Sequence, residues 1–190
     1  MSKAVDLTTR AGTVDWDLLK RELMSMPKET LVELVNVWLK TYWSLQNYWM
    51  VFTEAESGFA TAGKLDGKVW EKVAPIQAYR VKKALDLGED VQALATVFKF
   101  TAPQWAPAGF EWEFDEVSEK TLRMTVHRCP MGTYRKERGL ELLPCKYGSP
   151  LLYAAIAKVV NQRFQTTCLH AHPDPPREGV MCQWEFVLND

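Results

Sequence analysis

The chain has 190 residues, of which 47% are hydrophobic and 25% are charged, and its formal net charge is -1. These values are typical of one globular domain that buries its own core without disulfide bonds. The balanced charge argues against binding to nucleic acid or to an anionic membrane surface, since both favour basic patches.

The sequence also argues against membrane insertion and secretion. No stretch approaches the roughly 18 consecutive apolar residues that a membrane span needs. The first ten residues lack the apolar segment of a signal peptide. We therefore expect a cytoplasmic protein.

The first half of the chain predicts helices. A short helix is expected from Asp15, and Pro27 suits the first turn of a second, long helix because its missing N–H is not needed there. Gly58 and Gly63 then predict a loop. A third helix is expected from a cap at Asp66 to about Gly88, and a fourth over residues 89–100.

The long second helix has apolar residues on nearly all sides, which is typical of a central helix or of one in a subunit interface. A homodimer is therefore predicted. The helix is also rich in aromatic rings, which predict either a pocket for a flat ligand or ordinary core packing. The candidate pocket residues are Trp38, Tyr42 and Trp49, together with Trp112 from a later segment.

After residue 108 the pattern changes to the alternation of half-buried strands. Residues 110–117 and 121–127 predict a hairpin, residues 151–160 a helix, and residues 164–170 and 180–188 two further strands. The order β-β-α-β-β after helices predicts an α+β fold with the N-terminal helices packed on an antiparallel sheet. We expect a single domain over residues 1–190, with a helical part, 1–100, and a sheet part, 108–190.

All four cysteines and all three histidines lie in the last third of the chain. Cytoplasmic thiols stay reduced, which favours metal ligands, catalytic groups or core residues over disulfides. Thiolate and imidazole are the ligands that zinc prefers. The spacings, C-x15-C, C-x22-C and C-x13-C, contain no C-x2-C motif. The candidate metal ligands are Cys129, Cys145, Cys168, His170 and Cys182.

Two other interpretations of these cysteines stay open. Free cysteines are among the most buried residues, so all four could be small core side chains. A thiolate next to an imidazole could also act as a nucleophile. The pairs near in sequence are Cys129 with His127 and Cys168 with His170.

Several motifs resemble those of known families. Arg128-Cys129-Pro130, Cys145 before a helix, Cys168 and the strand Cys182-x-Trp184-x-Phe186 resemble a family of uncharacterised bacterial and archaeal proteins of about this size. The C-terminal half is also similar to the L-2-amino-thiazoline-4-carboxylic acid hydrolases. More distantly, it is similar to the 4-vinyl-reductase, or hydrocarbon-binding, domains.

The last resemblance implies the NO-signalling/Golgi-transport ligand-binding fold, often dimeric, with zinc held by three cysteines and a glutamate. In this sequence, the positions that match the three zinc-binding cysteines of those domains are Cys145, Cys168 and Cys182. The glutamate position holds Gln165, which is a poor zinc ligand. Cys129, His170 or His127 would then replace it.

Taken together, these patterns predict a protein that binds a small hydrophobic or aromatic molecule, with a zinc or possible iron site next to an apolar, Trp-rich pocket. One alternative is a hydrolase of cyclic amidines or thiazolines, in which metal-bound water attacks a C–N or C=N carbon. Another alternative is a protein-interaction module that uses the long apolar helix.

Overall fold

The computed structural model of the chain describes residues 15–101 and 109–190, apart from the side chain of Pro150. These residues form six helices and a four-stranded antiparallel sheet, which confirms the predicted α+β class. The chain divides into two compact units, Met1–Trp38 and Leu39–Asp190, and each is described by itself.

The first helices agree closely with the sequence patterns. Helix α1 spans Trp16–Ser25, and the carboxylate of Asp15 caps it by accepting a hydrogen bond from the Leu18 N–H at 3.0 Å. Helix α2 spans Lys28–Ser57 and crosses the boundary between the two units. The carbonyl of Pro27 accepts the Leu31 N–H at 3.1 Å, so the proline directly precedes the helix.

The loop predicted between α2 and α3 is wrong, because helix α3 runs without a break over Phe59–Ala84. Only Gly58, with a φ of 79°, separates it from α2. Gly63 lies inside the helix, where an added β-carbon would be 3.5 Å from the Leu143 side chain. The glycine there permits close packing and does not end a helix.

Helix α4 spans Val91–Thr101, and the Asp90 side chain accepts a hydrogen bond from the Ala93 N–H at 2.7 Å. The two remaining helices, α5 over Pro130–Glu137 and α6 over Cys145–Val160, lie between strands of the sheet. Helix α6 therefore begins earlier than the predicted Leu151. Its neighbour α3 presents buried alanines, Ala74 and Ala78, and such small side chains let two helices approach closely.

The sheet contains β1 (Glu111–Val117), β2 (Thr121–Arg128), β3 (Phe164–His170) and β4 (Cys182–Leu188) in the order β1-β2-β4-β3. Strands β1 and β2 pair as the predicted hairpin, with Trp112 opposite Val126. Strand β4 lies between β2 and β3, so it pairs both with β3, its neighbour along the chain, and with β2, which is distant in sequence.

One face of the sheet forms the core with α4 and α6. Paired residues on this face include Leu122 with Phe186 and Met124 with Trp184, all buried. The ring of Phe98 on α4 is 4.8 Å from that of Phe186. The opposite face is polar. No helix among the described residues is long and apolar enough to cross a membrane.

Candidate functional site

The four cysteines come from four different elements that meet at one end of the sheet. Cys129 follows β2 and directly precedes α5, Cys145 is the first residue of α6, Cys168 lies near the end of β3, and Cys182 begins β4. Because β4 is antiparallel to both β2 and β3, its start lies beside their ends. The topology therefore brings together residues that are far apart in sequence.

Backbone and side-chain contacts hold the start of α5 against the start of β4. The Met181 N–H donates a hydrogen bond to the Val126 carbonyl at 2.8 Å. The Met181 side chain covers Gly132, where an added β-carbon would be 3.4 Å from the Met181 sulfur and 3.9 Å from the Cys129 β-carbon. Cys129 and Cys182 are therefore held near each other.

A second set of contacts ties the start of α6 to the turn after β3. The Lys146 N–H donates to the His172 carbonyl at 3.0 Å, and the Lys146 ammonium pairs with the Asp174 carboxylate. Asp174 also accepts the Ala171 N–H at 3.2 Å. These bonds place Cys145 near the end of the strand that carries Cys168.

The buried setting of the cluster strongly disfavours thiolates in the absence of a metal. Burial raises the pKa of Cys145 to about 11, and negative charge on Cys129 or Cys168 raises it further. Burial likewise raises the pKa of Cys182 to about 12, with the other three cysteines adding to the rise. The four sulfurs are thus close enough to influence one another electrostatically, and each would be a neutral thiol at pH 7.

Two aromatic side chains lie at the centre of the cluster. The ring of Tyr153, on α6, is 4.8 Å from that of Trp184. Burial, followed by negative charge on all four cysteines, raises the pKa of Tyr153. Trp184 is fully buried, and among the described residues its indole N–H has no hydrogen-bond partner.

Within residues 15–101 and 109–190, no group of three or more His, Cys, Asp or Glu side chains is arranged to hold a metal ion. The structure therefore brings the four cysteines into one region and shows no formed metal site there.

The histidines differ in their relation to the cluster. His127 lies on the other face of β2 from Val126 and is exposed. Its Nε2 is 3.0 Å from the Glu113 carboxylate, and its Nδ1 is 2.7 Å from the Gly179 carbonyl. It does not join the cysteines. His170 lies on the same half-buried face of β3 as Cys168, and its Nδ1 is 4.0 Å from the Asp174 carboxylate. Gln165 lies on the opposite, exposed face of that strand.

The residues predicted to line an aromatic pocket differ in exposure. Trp38 and Tyr42 are 56% and 38% exposed, and Trp38 belongs to the other unit of the chain. Trp49 is half-buried. Trp112 lines an open groove of about 410 Å³ between α4 and β1, and a second open groove lies beside α6 and β3. Neither groove is lined by a cysteine, so the pocket next to the metal site stays a prediction.

The sequence patterns missed three residues that shape this region: Tyr153, Trp184 and Arg135. Trp184 is two residues after Cys182 on one strand, and strand periodicity alone places both on the same face. Tyr153 follows Cys145 by about two helical turns, which also places them on one side of α6. Both could have been identified once the correct helix and strand starts were known.

Arg135 holds α5 in place. Its guanidinium is 3% exposed and makes two hydrogen bonds to the Glu54 carboxylate, at 2.7 and 2.9 Å. It also donates to the Glu141 carbonyl, and it lies 4.4 Å above the Phe59 ring. Helix α5 begins next to Cys129, so this arginine indirectly positions that cysteine.

Comparisons with known proteins place the chain in a family. No curated protein and no solved structure matches it. The comparisons show no similarity to thiazoline-carboxylic acid hydrolases or to 4-vinyl-reductase domains. One family model, described as a family of unknown function (DUF6125), matches residues 24–188. This match covers most of the sequence, and the chain therefore belongs to that family.

Proposed function

We propose that this protein binds a thiophilic transition metal, zinc or iron, through Cys129, Cys145, Cys168 and Cys182. The observation that supports the proposal is the convergence of these four thiols, one from each of four elements, at one end of the sheet. Thiolates are the preferred ligands of zinc and of iron–sulfur centres.

Two alternatives explain the cluster less well. All four cysteines do pack against the hydrophobic core, but core packing alone does not account for their meeting at one end of the sheet. A nucleophilic cysteine needs a lowered thiol pKa, whereas burial raises the pKa of every cysteine in this cluster. His127, the expected partner of Cys129, makes its hydrogen bonds to Glu113 and Gly179 instead.

We choose Cys129 over His170 as the fourth ligand. Cys129 interacts electrostatically with both Cys145 and Cys182. The imidazole of His170 instead has its Nδ1 near Asp174. Four thiolates would give a closed site, which is typical of structural metal centres, whereas the hydrolase alternative requires an open position for water.

Metal content tests the proposal. The full chain, purified without a metal-binding tag, would be measured by elemental mass spectrometry beside the variants Cys129→Ser, Cys168→Ser and His170→Gln. We expect bound metal in the wild type and in His170→Gln, and loss of most of it in both cysteine variants. Full metal retention in both cysteine variants would refute the four-cysteine assignment.

The exposed side of α2 favours a second function, association with another copy of the chain. Within residues 39–57, Leu45, Tyr48 and Phe52 are 70%, 63% and 63% exposed, and the last two rings stack at 5.8 Å. Apolar patches of this kind commonly mark interfaces. Light scattering should give a dimer for the wild type and a monomer for Leu45→Glu. A wild-type monomer at all concentrations would exclude self-association.

A further inference from the structure

We propose that the groove between α6 and the outer edge of β3 binds a small organic anion through its carboxylate or phosphate group. This inference goes beyond metal binding, because the groove lies at the start of β3 and none of the four cysteines lines it. It follows from the size of the groove, from the unpaired cations and other hydrogen-bond donors along it, and from a buried hydroxyl in its wall.

The groove has the size and the setting of a small-molecule site. Its volume is about 580 Å³, and ligand pockets usually enclose about 300–1,000 Å³. Strand β3 is an edge strand, because the sheet has the order β1-β2-β4-β3. Gln165 and Thr166, from opposite faces of β3, both line the groove, so the groove follows the edge of this strand. An edge strand has unpaired backbone N–H groups on its outer side, and these add donors to the groove.

The side chains along the groove are also donors. The polar residues that line it are Lys158, Gln162, Arg163, Gln165, Thr166 and Asn189. Two of them are cationic and three are amides, and no described residue of the lining carries a carboxylate. An anion that enters the groove therefore meets positive charge and neutral donors, without repulsion from the lining itself.

The two cations are available to a ligand. Among residues 15–101 and 109–190, no carboxylate forms an ion pair with the Lys158 ammonium or with the Arg163 guanidinium. Asp190 pairs with Lys120, and this hydrogen bond is the main cause of the lowered pKa of Asp190, with a smaller contribution from the charge of Arg163. A guanidinium presents its N–H groups in a fixed plane that matches two oxygens of a carboxylate or phosphate. Arg163, supported by Lys158, therefore binds the charged group of the ligand.

A buried hydroxyl in the wall of the groove supports the same site. Thr166 lies on the half-buried face of β3, and its Oγ1 is buried without a hydrogen-bond partner in the described part of the chain. Such a group loses its hydrogen bonds to water on folding and gains none in return, so it is rare in folded proteins. A polar ligand atom in the groove supplies the missing partner.

The experiment is an NMR titration of the isotope-labelled full chain with two probes, inorganic phosphate and succinate, at constant ionic strength. Arg163→Gln and Lys158→Gln each remove one cation of the groove. Arg80→Gln is the matched control, because Arg80 is exposed on α3 and does not line the groove. Circular dichroism shows whether each variant keeps the wild-type fold.

We expect at least one probe to cause saturable shifts of the backbone amides of residues 163–166, both in the wild type and in Arg80→Gln. Arg163→Gln should weaken this binding about tenfold, because it removes charge-assisted hydrogen bonds. Lys158→Gln should weaken it by less. Saturation by phosphate alone identifies a phosphate-bearing ligand, and saturation by succinate alone identifies a carboxylate. Failure of both probes to saturate these shifts, or equal weakening in Arg163→Gln and Arg80→Gln, would overturn the proposal.

Thr166→Val tests the buried hydroxyl separately. The change replaces the hydroxyl by a methyl group of similar size and removes an unpaired polar atom, so the ligand-free variant should be at least as stable as the wild type in urea denaturation. Its affinity for the probe that saturates the wild type should fall, because the hydrogen bond from residue 166 is lost. An unchanged affinity would exclude Thr166 from the site. A loss of stability would show that the hydroxyl already has a partner in the ligand-free protein.

Discussion

The pair formed by Arg135 and Glu54 offers a sharp test of how α5 is held. Glu54→Gln keeps the shape of the side chain and removes its charge. The Arg135 guanidinium, 3% exposed, would then lack its counter-charge and one of two hydrogen bonds. Breaking a fully buried ion pair costs about 3–5 kcal/mol. Since Glu54 is 25% exposed, we expect Glu54→Gln to lower the free energy of unfolding by the lower end of this range, about 3 kcal/mol.

Thermal and chemical denaturation measure this loss. For a chain of this size about 3 kcal/mol corresponds to a fall of about 6–12 °C in Tm. The control is Glu71→Gln, which removes the charge of an exposed carboxylate 3.3 Å from the Lys72 ammonium. This variant should lower the free energy of unfolding by no more than about 0.5 kcal/mol. If Glu54→Gln and Glu71→Gln lower stability equally, the Arg135 contact does not hold α5.

The same pair predicts a pH dependence. The hydrogen bond from Arg135 lowers the pKa of Glu54 in the folded protein. A lowered carboxyl pKa stabilises the fold fully above the unfolded pKa, about 4.3, and the stabilisation is lost as the pH falls through the folded value. The stability difference between wild type and Glu54→Gln should therefore be constant near pH 7 and shrink in acid. A difference that grows in acid would contradict this reasoning.

Three further predictions concern packing, backbone strain and the support of the site. Ala78→Leu should lower stability by about 1–3 kcal/mol in urea denaturation, because the alanine is fully buried where α3 meets α6. Gly109→Ala should lower the Tm more than Gly139→Ala does. Both glycines have positive φ, but only a β-carbon at residue 109 would overlap an arginine side chain. Equal Tm values for the two variants would refute this. Asp174→Asn should weaken metal binding about tenfold in competition titrations by loosening the start of α6, whereas Asp190→Asn, at an exposed pair, should not.

The regular elements could be predicted because their signals are local. Strand β1 alternates between exposed and half-buried positions, the first half of β2 alternates between half-buried and buried ones, and α2 carries a long helical apolar pattern. The start of α6 could not be predicted in this way. Its first two turns contain Gly148 and Pro150, and contacts of Lys146 with the turn after β3 hold its start in place. Tertiary contacts there outweigh local propensity.

The candidate site was only partly predictable for the same reason. The number of cysteines indicated soft ligands, but their long spacings lacked the local C-x2-C signal of a zinc site. Their convergence depends on β4 inserting between β2 and β3, which is a long-range pairing. Residue type therefore predicted the ligands, and topology determined which of them meet.

The long spacings follow directly from the fold. A site that takes one ligand from each of four elements cannot contain a short motif. Helix α5 separates Cys129 from Cys145, α6 separates Cys145 from Cys168, and the connection over residues 171–181 separates Cys168 from Cys182. Such a site closes only after the sheet and both helix starts are in place. If the proposed site binds a metal, that binding should be coupled to the folding of the C-terminal half, since an unfolded chain offers no preformed site. The absence of a short cysteine motif is thus what this topology requires of a metal centre, and it does not argue against one.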